Sequence, residues 1–187
     1  MSGIADVNGT RLAYEVDGSG PPMGLIHGFS LDMRMWQDQL AAFTAGHSVL
    51  RYDLRGYGRS GIPSSETYSH AADLTALLDY IGWERVHILG LSMGAVVALD
   101  FALSCPGRTR SLILADAVLE GYAFSAAWQA AQDALVAKAA AEGPHAANLA
   151  WLDDPLFASA RENPTVAAHL RSMVSEYSGW HWTHDDP

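Results

Sequence analysis

Cysteine is almost missing from this chain, Cys105 being the only one among 187 residues. That scarcity excludes an internal disulfide and any metal site built from several thiolates. Cys105 stands before Pro106 at the end of an apolar stretch, where a buried, inert thiol is expected. Positive charge is scarce as well: Lys and Arg number 11 against 21 Asp and Glu, for a formal net charge of −10. Too few cations remain to cluster on a phosphate backbone, so nucleic acid is not an expected partner. No apolar run approaches the ~18 residues of a membrane span. The start lacks a basic segment followed by an apolar one, so no secretory signal is expected either. The setting these absences predict is reducing and cytoplasmic, away from the membrane. Apolar residues are plentiful, at 49% against 17% charged, which suits a globular domain with a substantial core.

Along the chain, Ile4–Val7 and Arg11–Val16 flank Asn8-Gly9, a strong short-range hairpin signal. The glycine- and proline-rich stretch 18–22 reads as a loop, and Met23–Ile26 as a short buried strand. Met33, Trp36, Leu40 and Phe43 recur at helical spacing, which predicts a helix over Asp32–Phe43. Ser48–Tyr52 reads as a strand ending at Asp53. Ser69 is placed to cap a helix whose Leu74, Leu77, Leu78 and Ile81 share a face. Val86–Leu89 is the next strand, and a helix from Gly94 to Ser104 is apolar on nearly all sides, hence expected to be buried. Ser111–Ala115 is one more strand. Strands alternating with helices at this interval imply a mostly parallel sheet with helices on both faces, opened by an antiparallel hairpin.

After Asp116 the character changes, and from Gly121 onward the pattern is wholly helical and rich in alanine. Phe124, Trp128, Ala131 and Leu135 fall on one face, and Gly143-Pro144 breaks the helix. Asp154-Pro155 and Asn163-Pro164 each set a capping residue before proline, marking two further helix starts. Val166, Leu170, Met173, Val174 and Tyr177 form the last stripe. The expected division is an α/β core over residues 1–119 and a helical region over 120–187.

Gly90-Leu91-Ser92-Met93-Gly94 sits between the apolar strand Val86–Leu89 and an apolar helix. A strand turning sharply into a helix through Gly-x-Ser-x-Gly is the pattern of a nucleophile elbow, which raises a serine hydroxyl at the positive end of a helix. His27-Gly28-Phe29, Trp36 and the run Asp53-Leu54-Arg55-Gly56-Tyr57-Gly58-Arg59-Ser60 accompany it in compatible order and spacing. Through these residues the chain resembles the α/β-hydrolase superfamily. Its nearest look is to small esterase, enol-lactonase and cofactor-free haloperoxidase-like members. The resemblance covers residues 1 to about 120 well and the helical remainder loosely, and it implies that the helices form a cap.

The resemblance assigns each residue a role. Ser92 is the expected nucleophile; a serine rather than the aspartate of related dehalogenases and epoxide hydrolases implies acyl transfer from an ester, thioester or lactone. The aromatics Phe124, Trp128, Trp151, Phe157, Trp180 and Trp182 point to a small, mostly apolar substrate, and no cofactor or metal is expected, since no His, Asp and Glu stand at ligand spacing. Perhydrolase or haloperoxidase-like chemistry at the same serine is a side activity to weigh. The oxyanion donors would be the amides of Met93 and Phe29. His27 precedes the nucleophile, whereas this fold orders its triad serine, acid, histidine, so His27 is expected to orient its loop. Asp53 and Arg55 read as loop ties, since the segment lacks the Walker lysine and the dinucleotide glycine spacing. Asp116, at the end of the sixth strand, is the internal candidate for the acid, beside the plainer reading of a strand-end aspartate. Trp128, Trp151 and Trp180 are candidate substrate-binding residues, weighed against simple packing. His181 and His184 read as cap surface or pocket wall.

No later histidine follows a strand and loop as the family's base does. Leu112-Ile113-Leu114 would form an apolar strand with nothing in the sequence to pair beyond it, a sheet edge prone to association. The expectation is therefore an incomplete hydrolase fold, with a second chain or self-association completing the sheet, or an inactive fragment that needs another chain's histidine. The alternative from another class is a noncatalytic ligand-binding or interaction protein on the same scaffold.

Overall fold

Asn8 and Gly9 both take positive φ, 46° and 71°, and the chain reverses there between β1 (Ser2–Val7) and β2 (Thr10–Gly18). The structure, a computed structural model, describes residues 1–64, 67–119 and 121–184. Four more strands follow: β3 (Pro22–Ile26), β4 (Ser48–Tyr52), β5 (Val86–Leu91) and β6 (Thr109–Ala115). They form one sheet in the order β1-β2-β4-β3-β5-β6. The pairs β1–β2 and β2–β4 are antiparallel, and β4, β3, β5 and β6 run parallel.

The period-two alternation of side chains decides what each face buries. In β3 and β4, Met23, Leu25 and Val49 point to one side, where Trp36, Leu40 and Phe43 cover them. Ile26, Leu50 and Tyr52 join the larger core on the other side, with Leu74, Leu77, Ile88, Val97 and Phe101. The helices responsible are α1 (Gln37–Thr44) on the first face and α2 (His70–Tyr80) with α3 (Met93–Ser104) on the second. The Ser69 hydroxyl caps α2 by accepting from the Ala72 amide.

The helix expected over Asp32–Phe43 is divided. A 3-10 turn at Met33–Trp36 precedes α1. Its leading amides are drawn elsewhere: Met33 donates to Asp53 Oδ1 at 2.8 Å and Arg34 to Asp32 Oδ1 at 2.9 Å. The expectation of a fully buried α3 also needs correcting. Gly94, Ala95, Val97, Ala98 and Phe101 are buried against β3, β5, β6 and α2, but Leu103 is 71% exposed. Among the described residues nothing covers that side.

Past β6 come α4 (Ala126–Glu142), α5 (Pro144–Trp151), α6 (Ala158–Glu162) and α7 (Pro164–Glu176), then a 3-10 turn at Trp180–Trp182. Asn163 caps α7 through its side chain, and Pro164 opens it. Ala147, Trp151, Leu170, Val174, Tyr177 and Trp182 belong to the same buried cluster as Leu50 and Ile88, so the helical region shares its core with the sheet. Glu120, where the expected boundary falls, lies outside the described residues. Among the described residues no helix is long and apolar enough to cross a membrane. Among the described residues no strand lies beside the outer edge of β6, where Ile113 and Leu114 are 48% and 37% exposed.

Candidate active site

Ser92 is the single residue between β5 and α3, with φ 53° and ψ −118°. A side chain rarely adopts this conformation, which costs about 1–3 kcal/mol. The bend is imposed by contact on both sides. A Cβ on Gly90 would fall on the Gly94 carbonyl, and one on Gly94 would fall on the carbonyls of His27 and Ile26. Only hydrogens fit, so strand, elbow and helix pack at backbone distance. The Ser92 amide donates to Ala115 O at 2.8 Å, and its carbonyl accepts from Ala95 and Val96. Its side chain is half-buried, and Oγ has no hydrogen-bond partner among the described residues.

The loop after β3 lies against this elbow. A Cβ built on Gly28 would stand 3.8 Å from the Ser92 Cβ. His27, fully buried, holds the loop from below: Leu54 donates its amide to Nε2 at 3.0 Å, and Nδ1 lies 2.9 Å from Gly28 O. An amide can only donate, so Nε2 accepts and Nδ1 carries the proton. His27 is thereby committed to orienting the loop. Gly28 O also receives the Leu31 amide at 3.3 Å, closing a turn in which Ser30 takes φ 62°. Neither the Phe29 amide nor the Met93 amide has a partner among the described residues; Met93 follows Ser92 in the chain, and Phe29 follows Gly28, which packs against Ser92.

The segment 53–60 supports these loops. Asp53 accepts amides from Met33 and Arg59, both at 2.8 Å. Burial lifts its carboxyl from the ordinary range to about 6, the two amides pulling the other way. Arg55 pairs with buried Asp73 through two nitrogens, at 2.9 and 2.7 Å, and also donates to Asn8 O. Tyr57, which the sequence did not mark for any role, is fully buried and donates its hydroxyl to Met93 Sδ at 3.2 Å. On its other face the Tyr57 ring stacks on His181 at 4.4 Å. His181 in turn lies between two phenols, Tyr177 at 2.8 Å from Nδ1 and Tyr68 at 3.2 Å from Nε2. His184 is exposed and stacks on Trp180.

The remaining candidates stand apart. Asp116 follows β6 with φ 50°, exposed, one residue past the carbonyl that binds the Ser92 amide. Trp128 stacks on Phe124 at 3.7 Å, and Trp180 leans on Tyr68. Trp151 is 6% exposed and donates its indole N–H to Ser30 Oγ at 2.8 Å. It is one of four rings around Phe29, with Tyr57, Tyr177 and Trp182. Asn148 knits that cage, donating to Tyr177 O and accepting from Trp182 Nε1, both at 2.7 Å. No sequence signal marked Ser30 or Asn148. A groove of about 370 Å³ opens beside Met93, lined by Tyr68, His70, Val96 and Val97 among others.

The model of the alpha/beta hydrolase fold family matches residues 21–181. The 3-oxoadipate enol-lactonase 1 of Acinetobacter baylyi is 27% identical over 154 residues, which make up 81% of this chain and 58% of that protein. The epoxide hydrolase 3 of Siraitia grosvenorii is 34% identical over 113 residues, 58% of this chain and 36% of that one. Among solved structures, the enol-lactonase from Burkholderia xenovorans LB400 superposes with a TM-score of 0.81 at 28% identity, over 96% of this chain and 70% of that chain. The matched stretch thus spans between 36% and 58% of these two curated relatives.

Proposed function

This chain belongs to the α/β-hydrolase family, and from that premise we propose that it is a serine hydrolase cleaving a small, mostly apolar carboxylic ester or lactone through an acyl-enzyme at Ser92. The observation that carries the reading is the strained serine, followed by the uncommitted Met93 amide and packed against the Gly28 loop whose Phe29 amide is also uncommitted. In the reaction, Oγ attacks the acyl carbon and its proton passes to a base. The carbonyl oxygen gathers negative charge between the Phe29 and Met93 amides, and the alkoxide leaves with a proton. Water then cleaves the acyl-enzyme and restores the hydroxyl. The related enol-lactonases support this substrate class. The related epoxide hydrolase argues for a different class, but a serine favours an acyl intermediate over an alkyl one. Asp116, the residue after the Ala115 carbonyl that accepts the Ser92 amide, is proposed as the acid. The base is assigned to a second chain or a second copy seated on the β6 edge, which has no strand beside it among the described residues. The proposed setting is cytoplasmic.

A fluorophosphonate probe tests the core of this reading. Fast modification of the wild type and only background modification of Ser92→Ala support it. Equal background rates in both would favour a ligand-binding protein on the same scaffold. That second reading draws on one observation, the absence of a partner for Ser92 Oγ among the described residues. Under it Ser92→Ala leaves ligand affinity unchanged.

A further inference from the structure

The turn Gly28-Phe29-Ser30-Leu31 is closed by the Leu31 amide on Gly28 O, with its third residue at positive φ. That is the geometry of a type II turn, in which this position prefers glycine. Here it holds a serine at φ 62°. A residue with a Cβ relaxes toward negative φ unless something retains it, and relaxation would turn over the Phe29–Ser30 peptide. The Phe29 N–H belongs to the preceding peptide, Gly28–Phe29, whose orientation shifts as Phe29 readjusts to the turned-over bond.

What retains Ser30 comes from outside the sheet. Its buried hydroxyl accepts the Trp151 indole N–H at 2.8 Å, the one side-chain partner of Ser30 Oγ among the described residues. Trp151 ends α5, and its ring is one wall of the aromatic cage on Phe29. The other side of the loop is tied by His27, through Leu54 and Gly28. The loop bearing one proposed oxyanion donor is thus clamped between a core histidine and a helical-region tryptophan.

We infer that Trp151 is a positioning residue: its N–H holds Ser30 in the left-handed conformation and so aims the Phe29 amide at the reacting oxygen, making donor geometry depend on the seating of α5. This rests on the acyl-transfer reading above. It gives the helical region a part in the chemistry that does not require contact with substrate.

Phosphonylation of Ser92 reads donor geometry directly, since an Oγ–P bond forms, fluoride leaves, the serine proton passes to base or solvent, and the phosphoryl oxygen takes the oxyanion's place. Rates are compared well below each variant's melting temperature. Trp151→Phe keeps the ring and loses the donor; it should react about tenfold more slowly, part of the 10²–10³-fold that outright loss of a donor costs. Adding Ser30→Gly should restore the rate to within about twofold, because glycine holds positive φ unaided. Leu170→Ala empties a buried position of the same helical core outside the aromatic cage, and should melt earlier while reacting at the wild-type rate. A Trp151→Phe variant as fast as wild type, or one that Ser30→Gly does not rescue, overturns the inference and leaves the serine-hydrolase reading standing. A wild type no faster than Ser92→Ala overturns both.

Discussion

The amide of Ser92 donates to the carbonyl of Ala115 across 2.8 Å, joining the elbow to the last residue of β6. This bond is the last rung of the ladder that pairs Leu91 with Ala115, and it carries the sheet's register one residue into the bend. Asp116 then departs at φ 50° from the same point. The two residues proposed for nucleophile and acid are thereby indexed to each other by the backbone, whatever their side chains do.

Strain at Ser92 should be recoverable as stability. Ser92→Gly accepts φ 53° freely and should stabilise the fold by about 1 kcal/mol, raising Tm by about 2–4 °C, while abolishing fluorophosphonate modification. Thermal unfolding followed by circular dichroism checks the first half. A lower Tm would show that the conformation is not strained.

Gly94→Ala should be far costlier than a surface glycine change. Its Cβ would collide with the backbone of Ile26 and His27, which cannot swing aside as a side chain can. A loss of about 3 kcal/mol or more is expected in urea unfolding, at the upper end of overpacking costs.

Arg55 and Asp73 are 6% and 1% exposed and bonded at 2.7 Å. Arg55→Met strands the carboxylate in the interior and should cost about 3–5 kcal/mol. Pairing it with Asp73→Leu removes the orphaned charge, and most of the loss should return. A double variant as unstable as the single one would contradict this account.

Asp53 predicts a pH dependence opposite to ordinary acid denaturation. Burial raises its folded pKa from 3.8 to about 6. The group therefore contributes stability that is full below about pH 4 and lost as pH rises through about 6, a swing of about 3 kcal/mol. Against Asp53→Asn, the wild type should lose ground between pH 4 and 7.5. Urea titrations of both proteins across that range measure it, and a constant difference would refute it.

Much of the sheet and the elbow was legible in the sequence because local rules determine them. Asn8-Gly9 sets a hairpin, short apolar runs set β3 and β4, and Gly-x-Ser-x-Gly admits few backbones. The readings of His27 as a loop tie and of Asp53 and Arg55 as anchors agree with the hydrogen bonds found. The break at Met33–Trp36 was not legible, since it depends on Asp53, a neighbour twenty residues away along the chain. Nor was the tie from Trp151 to Ser30, which joins residues 121 positions apart. Periodicity shows that a tryptophan faces inward; it cannot show which hydroxyl its N–H will meet.

The cage around Phe29 places two indoles, Trp151 and Trp182, with their rings about 6.0 Å apart and almost shielded from water. The protein therefore carries its own optical gauge. Any lifting of α5 from the sheet would wet both chromophores together and redden their emission, so the closeness of the helical region to the elbow can be followed in real time without an attached dye.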